Sequence, residues 1–61
     1  MIEIGEYIHL HNRNNLLKGK FLIVKEIPVE DSPHQWFYIE KVKDPSINAI
    51  ISKEYLQKMG E

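Results

Sequence analysis

The chain has 61 residues, with 8 Lys and Arg against 9 Asp and Glu, a formal net charge of -1 and no cysteine. A domain this short buries only about 60% of the surface its unfolded chain exposes, so one modest core must carry the fold. Disulfide frameworks, thiolate zinc clusters and cysteine nucleophiles are excluded, and the interspersed charge lacks the clustered cationic footprint of a strong nucleic-acid binder.

The opening Met1-Ile2-Glu3-Ile4-Gly5-Glu6 carries no basic segment, long apolar run or small-residue cleavage site. Neither export nor a membrane span is expected from it, and a cytoplasmic address is the expectation. Over positions 3–11, Ile4, Ile8 and Leu10 keep even parity while Glu3, Tyr7, His9 and His11 keep odd parity. That period of two predicts a half-buried strand with one side on a core. Asn12-Arg13-Asn14-Asn15 predicts a loop, with Leu16 and Leu17 returning to the core.

Lys18-Gly19-Lys20 leads into Phe21-Leu22-Ile23-Val24, apolar on both faces and continuing through Lys25-Glu26-Ile27. This is the expected central strand. Pro28, Glu30, Asp31, Ser32 and Pro33 end it, because proline removes ladder donors and fixes φ. Over 35–42 the alternation resumes, with Phe37 and Ile39 on one face and Trp36, Tyr38 and Glu40 on the other. Asp44-Pro45-Ser46 is a second turn signal before a short last strand over 47–51. Ser52 is placed to cap a helical turn over 53–59 that stops at Gly60, with Glu54 near its N-terminus and Tyr55 and Leu56 available to close the end of the fold. One domain spans 1–61, and the rhythm of strands predicts a small all-β barrel.

With that order in place, positions 17–56 resemble the Src homology 3-like small barrels, chiefly the bacterial type found in many cell-wall and phage proteins. Leu16-Leu17-Lys18-Gly19-Lys20 before an apolar strand is similar to that family's Lys-Gly opening. Gln35-Trp36-Phe37-Tyr38-Ile39 resembles its Trp-aromatic-x-aliphatic strand, and Ile50-Ile51-Ser52-Lys53-Glu54-Tyr55-Leu56 its closing strand and Tyr-Leu turn. Gln35 stands where the family has glycine, Asp44-Pro45-Ser46-Ile47-Asn48 replaces its Gly-rich turn, and its N-terminal Asn-Val-Arg-Ser-Gly-Pro stretch has no counterpart. The resemblance implies a single barrel of four to five antiparallel strands with a short C-terminal helical turn, and a habit of binding partners through exposed aromatics. A small accessory or regulatory protein of phage or prophage origin is the setting it implies.

Parity sets Trp36 and Tyr38 opposite Phe37 and Ile39, and so small a domain cannot bury both sheet faces. With Tyr7 they form the expected partner-binding patch, flanked by the acidic Glu30-Asp31 loop, since exposed aromatics supply hot spots for protein partners. Burial of Trp36 near a bend is the competing expectation. A second reading is a nucleic-acid-binding barrel, in which Arg13, Lys18, Lys20 and Lys41 with Tyr38 form a basic strip for phosphates and bases; Glu3, Glu6, Glu26 and Glu40 in the same strands oppose it. Self-association through the patch or an open sheet edge, giving a homodimer, is a further outlet.

No enzyme is expected. His9, Asp31 and Ser32 can be named as a triad, but nothing in their spacing supports one, and the three glycines are isolated, so no phosphate-cradling loop is encoded. His9 and His11 project to one strand face, yet a zinc site would also need His34 and a carboxylate such as Glu6; no metal and no cofactor is expected.

Overall fold

The computed structural model describes residues 2–11 and 17–60. The predicted loop over 12–15, with Arg13, and Leu16 lie outside the described residues. Four strands, β1 (Tyr7–Leu10), β2 (Gly19–Ile27), β3 (Trp36–Lys41) and β4 (Asn48–Ser52), precede one helix, α1 (Lys53–Met59). The strands pair antiparallel in the order β1-β2-β3-β4. The architecture is therefore an open four-stranded sheet with a short C-terminal helix.

β2 to β4 and α1 begin and end within a residue or two of the sequence expectation. β1 does not. The strand expected over 3–11 is reduced to Tyr7–Leu10 because Ile4 and Gly5 form a turn, with Gly5 at φ 91°, a conformation open to glycine. Ile4 consequently loses its place in the even-parity core set and is exposed. Backbone bonds still tie this segment to β2, the Gly5 amide donating to the Ile23 carbonyl and the Ile23 amide to Glu6.

Within β2 the pairing with β3 shifts between Ile23 and Lys25, so Val24 is the extra residue of a bulge. Before it, Phe21 and Ile23 point inward and Leu22 outward; after it, Lys25 and Ile27 take the outward positions. Inward residues of three strands then stack as Ile23, Ile39 and Ala49 in one row and Phe37 and Ile51 in the next. The core is Ile8, Leu10, Phe21, Ile23, Phe37, Ile39 and Leu56, with Leu17 and Ile51 among the side chains packed at its margin. Burial of each such side chain contributes roughly 1.5–3 kcal/mol, and the set is small enough that none is dispensable.

Helix α1 forms where its caps dictate. Ser52 has extended geometry and its hydroxyl accepts from the Tyr55 amide, while the Gly60 amide donates to the Leu56 carbonyl. Glu54 in the first turn and Lys58 in the last complement the helix dipole. The helix delivers Leu56, fully buried, onto the sheet. Beyond it the chain meets β1 in one isolated antiparallel bridge, Leu10 to Gly60, reinforced by the His11 amide donating to the Met59 carbonyl. Only glycine fits at this crossing: a Cβ on residue 60 would lie 2.5 Å from the Leu56 carbonyl oxygen and 2.7 Å from Cγ1 of Ile8.

Candidate functional site

The register assigns every outward side chain of the sheet to a row. Tyr7, Leu22, Glu40 and Asn48 stand side by side across the four strands. The next row holds Lys25, Tyr38 and Ile50, and the last holds Ile27, Trp36 and Ser52. On the other side of the Tyr7 row, His9 stands opposite Lys20. Tyr7, Trp36 and Tyr38 thus share the face opposite the core, as their parity requires. Trp36 and Tyr38 occupy adjacent rows of β3, whereas Tyr7 is two strands away, with Leu22 and Glu40 between. Trp36 and Tyr38 are half-buried, and Tyr7 and Ile50 are 58% and 53% exposed.

Each aromatic is held by a specific contact. The Trp36 indole Nε1 donates to the Ser32 hydroxyl at 3.0 Å, and the same hydroxyl accepts from the His34 amide, so the β2–β3 loop orients the ring. The Lys20 ammonium lies 4.6 Å from the centre of the Tyr7 ring, and that of Lys25 lies 5.8 Å from the centre of Tyr38. Both distances suit attraction between a cation and the ring quadrupole. Burial, and then the Glu40 carboxylate beside it, which also accepts its hydrogen bond, hold the Tyr38 phenol above its ordinary value. The face is apolar in its middle, with lysines laid over two of its rings.

Leu22 and Ile50 belong to this surface and escape the sequence reading. Their signal is present in the parity of β2 and β4, but which parity faces outward is decided only by the strand partners. The Val24 bulge hides it further, because it inverts the alternation halfway along β2.

The basic strip is partly gathered. Lys18, Lys20 and Lys41, with His9 and Lys43, border a concavity of about 540 Å³ at the end of the sheet where β2 starts and β3 ends, but Lys20 turns to the outer face over Tyr7 and Lys41 to the core face over Gly19. Tyr38 is not among its lining, and Arg13 is outside the described residues. The acidic Glu30 and Asp31 sit in the loop after the opposite end of β2. His9, on β1 beside the first turn of β2, is separated by the length of that strand from Asp31 and Ser32, so these three do not form a catalytic group. His34 is likewise at the far end, its Nδ1 3.0 Å from the Glu54 carboxylate. Among the described residues no group of three or more His, Cys, Asp or Glu side chains is positioned to hold a metal ion. No described helix is long and apolar enough to cross a membrane.

Comparison with known proteins adds no relative: no family model, curated protein or solved structure matches the chain.

Proposed function

We propose that the protein is a non-enzymatic binding module, a Src homology 3-like barrel that docks an extended segment of a protein partner on the outer face of its sheet. The Leu10–Gly60 bridge supports the barrel reading, because it brings the chain after α1 back to the otherwise free edge of β1. The observation that carries the docking reading is the shared outward face of Tyr7, Trp36, Tyr38, Leu22 and Ile50, on a domain whose core is already supplied by the opposite face. Aromatic and aliphatic side chains gathered on the solvent face of a small domain support an interaction site there.

The partner's chemistry follows from the lining. Aliphatic or aromatic side chains suit the central rows, and carboxylates suit the lysines laid over Tyr7 and Tyr38. Trp36 is already fixed by Ser32, so less side-chain freedom is lost on docking there.

A display library of extended peptides selected on the full chain tests the proposal. Enriched peptides are expected to carry apolar residues with flanking acids, to shift the backbone amides of Trp36, Tyr38 and Ile50 in NMR titration, and to lose at least tenfold in affinity on Trp36→Ala or Tyr38→Ala. Their affinity is expected to fall modestly between 50 and 200 mM salt, as the flanking acids are screened, while the apolar contact persists. Failure to enrich any peptide, or shifts confined to other faces, would contradict it.

A further inference from the structure

The two edges of the sheet are treated differently. At β1 the chain after α1 pairs with Leu10 through Gly60, and the His11 amide donates to the Met59 carbonyl. β4 ends the strand order on the opposite side, and among the described residues no strand pairs with its outer edge. Open edges invite pairing with another strand, and proteins guard them with lysines, prolines or bulges. Asn48-Ala49-Ile50-Ile51-Ser52 has no charge and no proline, and its register with β3 is unbroken.

Antiparallel pairing decides which backbone groups point outward. The Lys41 amide donates to the Ile47 carbonyl and the Lys53 amide to the Gln35 carbonyl, so Ile47, Ala49, Ile51 and Lys53 turn their backbone toward β3. Asn48, Ile50 and Ser52 turn theirs to the open edge, because the ladder alternates residue by residue. The Ser52 carbonyl is the exception, since the N-cap carbonyl takes the first bond of α1. The Asn48 side chain is folded back along its own chain, its Nδ2 donating to the Ser46 carbonyl at 3.3 Å. Helix α1 departs toward the inner face, where Leu56 is buried.

We infer that this edge binds the same edge of a second copy of the chain, joining two sheets into one across a two-fold axis at Ile50. The strand is complementary to itself when reversed about that residue. The two Ile50 backbones pair with each other, and each Ser52 amide meets the Asn48 carbonyl of the other copy. On the outer face Ile50 meets Ile50, and on the inner face the small Ala49 meets the larger Ile51. Ala49 and Ile51 are only half-buried at the margin of the core in one copy, so the pairing completes their burial. No charges oppose one another along the strand, and a neutral strand gives a charged partner segment nothing to recognise. An isologous contact of this kind uses up the edge on both copies, so assembly closes at two. It also sets the Lys25, Tyr38 and Ile50 row of one copy end to end with that of the other. The inference rests on the strand edge and stands without the docking reading, which concerns side chains on the face.

The test is sedimentation equilibrium and amide exchange of the full chain from about 10 µM to 1 mM, since a strand this short buries too little surface for a tight dimer. The mass is expected to double across that range, and exchange at the Ile50 amide to slow about tenfold or more as it does. Ile50→Lys and Ile50→Glu alter an exposed position. Each alone should stay monomeric, and their equimolar mixture should dimerise, because the two-fold sets residue 50 opposite itself. A chain that stays monomeric throughout, a dimer whose Ile50 amide exchanges as fast as in the monomer, a dimer of either variant alone, or a mixture that stays monomeric would overturn the inference. Association is read without peptide, and a peptide on the outer face shifts Trp36 and Tyr38 whether or not the chain dimerises, so either reading can fail without the other.

Discussion

Tyr38 shows how a single side chain reports its surroundings. Its phenol is held above the ordinary value of 10.0 by burial and by the Glu40 carboxylate, both of which disfavour the phenolate. A group whose pKa is raised on folding contributes stability that is intact below its unfolded value and is lost as the pH climbs through the folded one. The native state is thus expected to weaken from about pH 10 upward. Alkaline denaturation followed by circular dichroism should show this loss, and Tyr38→Phe should remove part of it. Glu40→Gln, which deletes the neighbouring charge, should bring the Tyr38 titration seen by ultraviolet absorbance down toward the ordinary value. A Tyr38 titration that Glu40→Gln leaves in place would contradict the part assigned to Glu40 and leave burial as the cause.

At the scale of elements, the joint between α1 and β1 depends on one residue without a side chain. The Leu56 carbonyl and Ile8 fill the space a Cβ on residue 60 would need, and the carbonyl is backbone, so it cannot swing aside. Gly60→Ala is expected to cost about 1–3 kcal/mol, the range for forcing extra volume into a packed site. Its signature is selective: urea melts should show the loss, and amide exchange at His11, whose partner is the Met59 carbonyl, should accelerate more than exchange in the β2–β3 ladder. Uniform acceleration would place the strain elsewhere.

The elements also show what the sequence made legible. The parity of β3, the Pro28–Pro33 interruption, the Asp44-Pro45-Ser46 turn and the Ser52 and Gly60 caps are local signals, and the structure places each where the local chemistry puts it. The start of β1 departs from its parity because Ile4 keeps the strand period while Gly5 turns the chain before Tyr7. The Val24 bulge had no signature, since Phe21-Leu22-Ile23-Val24 is apolar at every position and offers no alternation to break. The lysine concavity was half visible: Lys18, Lys20 and Lys41 stand out as basic residues near strand ends, but His9 and Lys43 join them only through the pairing of β1 with β2 and of β2 with β3.

At the scale of the whole molecule, charge and apolarity are distributed along the long direction of β2. Lysines gather where β2 begins, aromatic and aliphatic side chains cover the middle of the outer face, and Glu26, Glu30 and Asp31 occupy the region where β2 ends. The fold draws its core from the inner face of the sheet. At roughly 0.05–0.15 kcal/mol per residue, 61 residues hold only about 3–9 kcal/mol.

The two faces of β3 therefore make opposite demands, and the thermal melts of Phe37→Ala and Tyr38→Ala compare them directly. Phe37 is 4% exposed on the core side, and its truncation should cost about 3–5 kcal/mol, a third or more of that total. Tyr38, one residue further on and on the opposite side, should cost about 1 kcal/mol, a midpoint shift of about 4–8 °C, while abolishing peptide binding. If Tyr38→Ala lowers the melting midpoint as far as Phe37→Ala does, or leaves peptide binding intact, the division of β3 into a structural face and a docking face is wrong.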